Sequence, residues 1–176
     1  MERKVAMRKD LCFAAAALFG VNALAAPPDG RLSVSFVNPE SYTDAAYSHA
    51  YASEKDLAAV EHDIRQHLDR LAERKLPRDD TLRIEVLDID LAGRFEPLRL
   101  RGQDLRVVRD ITWPRMTLRY TLSRGDQVLA SGEDRLVDMN FMMSVNIYAS
   151  SDPLRYEKAM LDDWFDKRIV KRIVGR

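Results

Sequence analysis

Three histidines, His49, His62 and His67, are the side chains here best suited to shuttle a proton or hold zinc. Ligands on one helix reach a shared ion only when they stand three or four residues apart, and His62 and His67 are five apart. Asp63 and His67 have the right separation, but two ligands do not make a site, and no H-E-x-x-H occurs. The pair reads as a surface carboxylate beside a flanking histidine, and no metal site is expected. Asp88 and Asp90 would point to one side of a regular strand, where two carboxylates can share a cation or divide acid and base work. Calcium needs six or more oxygens, and Leu91, Ala92 and Gly93 follow instead. If the strand carries a bulge, one of the pair would simply face solvent at the strand end. No G-x-S-x-G elbow, S-x-x-K pair or glycine-rich phosphate loop is present, so neither catalytic residues nor a cofactor are expected.

Binding surfaces are better represented. Tyr42, Tyr47 and Tyr51, with His49 among them, give one loop flat amphipathic faces suited to a sugar or a protein partner. Their more ordinary use is to seal the edge of a core. Arg94, Arg99, Arg101, Arg106, Arg109, Arg115 and Arg119 make the middle of the chain locally basic, but Glu96, Asp104 and Asp110 are interspersed, which describes a self-paired, solvated face. Lys167 to Arg176 is basic and amphipathic; cations favoured at a helix C-terminus explain it without a membrane.

These residues sit in a chain that opens on an export pattern. Arg3, Lys4, Arg8 and Lys9 precede an apolar run from Leu11 to Leu24, and Ala23-Leu24-Ala25 supplies the small residues a signal peptidase fits. Residues 1–25 are therefore expected to be a signal peptide, cut between Ala25 and Ala26, with 26–176 a single domain in the periplasm. Starting at Met7 instead of Met1 would give the same product. The run is shorter than the roughly 20 apolar residues of a bilayer span, so no stable membrane span is expected after processing. Cys12 would leave with the leader, and the mature chain would carry no cysteine. Removing four basic and two acidic residues from 28 of each leaves 24 and 26, a net charge of −2. A nucleic-acid partner needs a clear positive excess, and none is expected.

The elements that must position these groups follow from periodicity. Arg31 to Val37 alternates as a half-buried strand, broken at Asn38-Pro39. Ser53 with Asp56 three residues on forms a cap for a helix whose stripe is Leu57, Val60, Ile64, Leu68 and Leu71, ending before Pro77. Thr81 to Leu91 is a strand whose apolar phase switches after Val86, the mark of a bulge or of a strand covered on both faces. Gly93 to Gln103 is expected to loop out. Arg115–Leu122 and Gln127–Met139 flank Arg124-Gly125-Asp126 as a hairpin. Pro153 suits the first position of a last helix with Leu154, Leu161, Trp164, Phe165, Ile169 and Ile173 on its apolar face. The expectation is an α+β domain: a mostly antiparallel sheet of about four strands with two helices packed on one face, in the order β-α-β-β-β-α.

Four phrases carry a family likeness: Phe36-Val-Asn-Pro-Glu-Ser-Tyr-Thr-Asp44, Asp88-Ile-Asp-Leu-Ala-Gly93, Asp110-Ile-Thr-Trp-Pro-Arg115, and Leu154-Arg-Tyr-Glu-Lys158 followed by Asp163-Trp-Phe165. In this order, across essentially the whole mature chain, they resemble a proteobacterial secreted family catalogued as domain of unknown function number three thousand and sixteen. The resemblance implies export and a single domain; it assigns no activity, cofactor or catalytic residue. The sequence thus points to a non-enzymatic periplasmic protein that binds an envelope protein or a small ligand through the tyrosine loop or an exposed sheet surface. The contrary reading is an envelope hydrolase using Asp88, Asp90 or His49 in a pocket assembled from distant segments.

Overall fold

A computed structural model describes residues 30–48, 50–97 and 104–174. The expected leader and its Ala25–Ala26 junction lie outside the described residues, as do His49, Arg99 and Arg101. Strand β1 (Leu32–Phe36) leads through a 3-10 turn (Pro39–Ser41) to helix α1 (Glu54–Lys75) and strand β2 (Asp80–Asp90). Two short strands follow, β3 (Arg94–Pro97) and β4 (Asp104–Val107), then the long pair β5 (Arg115–Arg124) and β6 (Gln127–Val137). Helix α2 (Arg155–Trp164) closes the chain, continuing through a π-helical stretch (Phe165–Val170) into α3 (Lys171–Val174).

The main sheet has the order β1-β2-β5-β6, and it is mixed: β1 runs parallel to β2, while β2–β5 and β5–β6 are antiparallel. This corrects the mostly antiparallel expectation. Parallel neighbours need a crossover, and α1, about 33 Å long at 1.5 Å per residue, supplies it. The expected element order is corrected as well. The segment expected to loop out contributes β3, which pairs with β4 just after it in a separate antiparallel ribbon in which Phe95 stands opposite Arg106. Pro97 and the many charges hide that ribbon from a reading based on alternation.

Local chemistry accounts for the rest. Ser53 Oγ accepts from the amide of Asp56, and Asp56 Oδ2 accepts from the amide of Ser53, closing the capping box that starts α1. The phase switch in β2 is a bulge between Val86 and Asp88, which leaves Leu82, Ile84, Val86 and Ile89 all on the inner face. Gly125, at φ 54°, takes the first central position of the two-residue β5–β6 turn, where a glycine relieves the strain of positive φ. The last helix begins two residues later than Pro153, at Arg155, after Asp152 Oδ1 has accepted the amide of Leu154.

Both helices cover one face of the sheet. Val60, Ile64, Leu68 and Leu71 of α1 and Leu161, Trp164, Phe165 and Ile169 from the C-terminal helix meet Ile84, Val86, Leu118 and Leu122 in one core. In the π-helical stretch the amide of Lys171 donates to Asp166 O, five residues back. At its start Trp164 and Phe165, adjacent in sequence and edge-on at 6.2 Å, are both buried. The opposite face of the sheet is polar: Arg119 bridges Glu85 on β2 (2.8 Å) and Glu133 on β6 (3.0 Å) across three strands.

Candidate functional site

The carboxylates singled out in the sequence lie where the 3-10 detour after β1 rejoins the sheet. Asp44 forms a parallel bridge with Asp90, its amide donating to Ile89 O (2.9 Å) and its carbonyl accepting from Leu91 N (3.0 Å). Beside it, Asp88 accepts from both the amide (2.8 Å) and the hydroxyl (2.9 Å) of Thr43. Asp88 and Asp90 do share the outer face, opposite Thr117 and Arg115 of β5, but each is engaged by different groups. Asp90, its side chain 2% exposed, receives Arg115 Nε (2.7 Å) and Nη2 on Oδ2, while Arg94 Nη1 lies 2.9 Å from Oδ1. A buried charge is tolerated only when paired and hydrogen-bonded, and two guanidinium groups meet that need.

Arg106 does the corresponding work for the β3–β4 ribbon. Its Nη2 donates to Asp44 Oδ1 (2.7 Å) and Ala46 O (2.8 Å), its Nη1 to Ala92 O (3.2 Å) and Gly93 O (3.3 Å), and its guanidinium sits 4.5 Å from the Phe95 ring centroid. Gly93, at φ 90°, allows this approach: a Cβ there would meet Val107 O at 2.9 Å. The other side of Ala92 is held by Glu157 of α2, whose Oε1 accepts the Ala92 amide at 2.7 Å. Glu157 is fully enclosed, its Oε2 has no hydrogen-bond partner among the described residues, and burial pushes its carboxyl up to about 7. The described arginines of the middle segment are thus self-paired, Arg109 with Glu96 and Arg119 with its two glutamates among them.

The tyrosine loop divides. Tyr42 donates to Val86 O (3.0 Å) and Tyr47 to Asp63 Oδ2 (3.0 Å); both rings pack against the core, and burial holds both phenols well above the ordinary range. Tyr51 stands out in solvent. His62 is exposed, whereas His67 is 1% exposed and its Nε2 lies 3.0 Å from Asp162 Oδ1. Tyr148 donates to the other oxygen of Asp162 (2.5 Å) and meets the His67 ring edge-on at 5.6 Å. Burial alone would raise the Asp162 carboxyl, but the hydrogen bonds from His67 and Tyr148 hold it below the usual value. Position 67 falls three after Ile64 and four before Leu71, so the helical stripe itself marks this histidine as inward-facing. Sequence reading treats it as a surface group only because histidine is polar.

The feature that sequence patterns miss is the segment between β6 and α2. Phe141 is buried, edge-on to Tyr156 at 4.7 Å, in a small second cluster with Ala92, Val108 and Trp113. The Asn146 side chain donates to Arg155 O (3.0 Å) and accepts the Tyr148 amide (2.9 Å). Between these anchors the apolar side chains point outward: Met139, Met142, Met143 (87% exposed), Val145 (95%) and Ile147 (80%). Ile111, next to the Trp113 loop, is exposed at the same end of the molecule. The signal is readable as a run from 138 to 153 without one Lys, Arg or Glu and with apolar residues in no regular period. Among the described residues no group of three or more His, Cys, Asp or Glu side chains is placed to hold a metal ion, and no helix is long and apolar enough to cross a membrane.

Mixed sheet, paired helices and this braced sheet end together define an α+β domain with one apolar outward surface. A family model described as "Protein of unknown function (DUF3016)" matches residues 30–167, and the chain belongs to that family. No curated protein matches the chain, and no solved structure does.

Proposed function

We propose that this protein is a non-enzymatic binding module of the bacterial periplasm that holds another polypeptide against the apolar surface around Met139–Ile147. The observation that carries this reading is a segment anchored at Phe141, Asn146 and Tyr148 that nevertheless turns Met143, Val145 and Ile147 to solvent. An anchored backbone has little ordering entropy left to lose on association, and exposed apolar side chains gain by being covered. The only charges from 138 to 153 are Asp138 and Asp152, so the surface suits an apolar partner with a basic rim and does not suit an anionic lipid face. The export pattern through Ala25 supports the compartment, and a purified product beginning at Ala26 is expected.

A photo-crosslinking amino acid at Val145 tests the reading in the protein's own host. It should yield one polypeptide adduct of defined mass, absent when the crosslinker stands at Arg83 on the polar sheet face and lost with Ile147→Glu. Adducts that are equally abundant at both positions, or unaffected by Ile147→Glu, would sink it.

A further inference from the structure

We infer that Met139, Met142 and Met143 form a thioether site for a soft monovalent cation, copper(I) or its chemical equivalent silver(I). Five methionines lie among the described residues, and they fall into two kinds. Met116 and Met160 are in the core, 1% and 5% exposed, as expected of a flexible apolar side chain. The other three are exposed and crowd into five consecutive positions, where filling a core gap is not their role.

The backbone brings them together. Asp138 Oδ1 accepts the amide of Asn140 (3.0 Å), and Asn140 O then accepts the amides of Met143 (2.8 Å) and Ser144 (3.2 Å), closing a single helical turn. Residues 139–143 are turn throughout, so the three methionines hang from one compact reversal of the chain. Phe141, between them, is turned into the Tyr156 cluster, which takes the buried side of the turn and leaves all three methionine side chains exposed.

Three thioethers are neutral, polarisable donors without a proton to release. Soft sulfur ligands select copper(I), whereas calcium and magnesium seek charged oxygens. The nearest carboxylate, Asp138, already accepts a backbone amide. Because no ligand titrates, binding should be the same in mildly acidic and neutral solution, unlike a histidine or thiolate site.

The inference uses the segment invoked for partner binding but does not depend on that reading, and one substitution separates them. Met→Leu keeps the apolar surface and removes sulfur. The test uses the full chain with Cys12→Ser, so that the single thiol cannot contribute however the amino terminus is processed. Copper(I) is supplied anaerobically in competition with a chromophoric chelator, and methionine ε-methyl resonances are followed by NMR. One equivalent should bind, shifting the methyls of Met139, Met142 and Met143 and leaving those of Met116 and Met160 in place. Met139→Leu/Met142→Leu/Met143→Leu should retain the buried methyl signals, which reports an intact fold, and should take no copper(I) from the chelator. Equal competition by the parent and the triple variant, or shifts confined to other residues, overturns the inference. Retention of the Val145 crosslink in the triple variant would show the partner surface surviving without the metal; its loss in Ile147→Glu with copper binding intact would show the reverse.

Discussion

Glu157 accepts the Ala92 amide on one oxygen, and its second oxygen meets no donor among the described residues. Arg106 of β4 offsets part of its charge, while Asp152 adds to the repulsion. Its folded value of about 7 stands above the 4.5 of the free group, so the native state keeps a proton that the unfolded chain releases between those values. Stability from this group is therefore fully present below the lower value and is lost as pH rises through the upper one, by on the order of 3 kcal/mol. Glu157→Gln keeps the acceptor for Ala92 and removes the charge. Urea unfolding at about pH 5 and about pH 8 should show the wild type losing stability across the interval and the variant nearly level, hence more stable at the higher pH. An equal slope in both proteins would place the titrating group elsewhere. Nothing in the sequence announces Glu157: a glutamate in an acidic and basic helix looks like a solvated one until the Ala92 loop is laid over it. Asp88 and Asp90 show the complementary case, because alternation correctly puts them on one face while the arginines and threonine that occupy them come from other segments.

At the scale of elements, what local rules govern is what the sequence displays. The capping box of α1 is visible as Ser53 and Asp56, and Ser53→Ala should lower stability by about 1 kcal/mol. Asp56→Ala should lower it further in the same denaturation assay, because Asp56 is buried and also accepts the Tyr47 amide at 3.3 Å, tying the tyrosine loop to the helix end. A loss no larger than that of Ser53→Ala would mean that this tie contributes nothing. The β5–β6 hairpin is equally legible from its alternation and its glycine turn. The β3–β4 ribbon is not, since four-residue strands carry too little pattern and depend on Arg106 for their attachment. The π-helical stretch is likewise hidden: Trp164, Phe165 and Ile169 fit an α-helical stripe nearly as well, and only simultaneous burial of adjacent rings selects the wider turn.

For the whole molecule, the sequence conveys class and layers, while the pairing direction of β1 depends on where α1 lands. The parallel β1–β2 pair and the central β2–β5 pair hold the sheet, and the ribbon is an appendage fastened chiefly by Arg106, with Arg94 paired to Asp90 beside it. A two-stranded ribbon is marginal by itself. Arg106→Ala should therefore raise amide exchange in residues 94–97 and 104–107 while leaving β2 and β5 among the slowest-exchanging parts of the chain. Uniform acceleration through all strands would instead make Arg106 a support of the whole core. The apolar surface around Met139–Ile147 lies beyond this rigid frame, which is why it is visible only once the frame is assembled: in sequence it looks like the interior of something.

The single face covered by both helices sets an order of events. The first helix and the last share one hydrophobic floor, so a chain emerging amino end first from a ribosome or translocon has β1, α1 and all later strands available while half of that floor remains bare. Leu154, Leu161, Trp164, Phe165 and Ile169 arrive only after every described strand. The sheet therefore keeps part of its floor uncovered until that helix follows, and the core is complete only once it has packed.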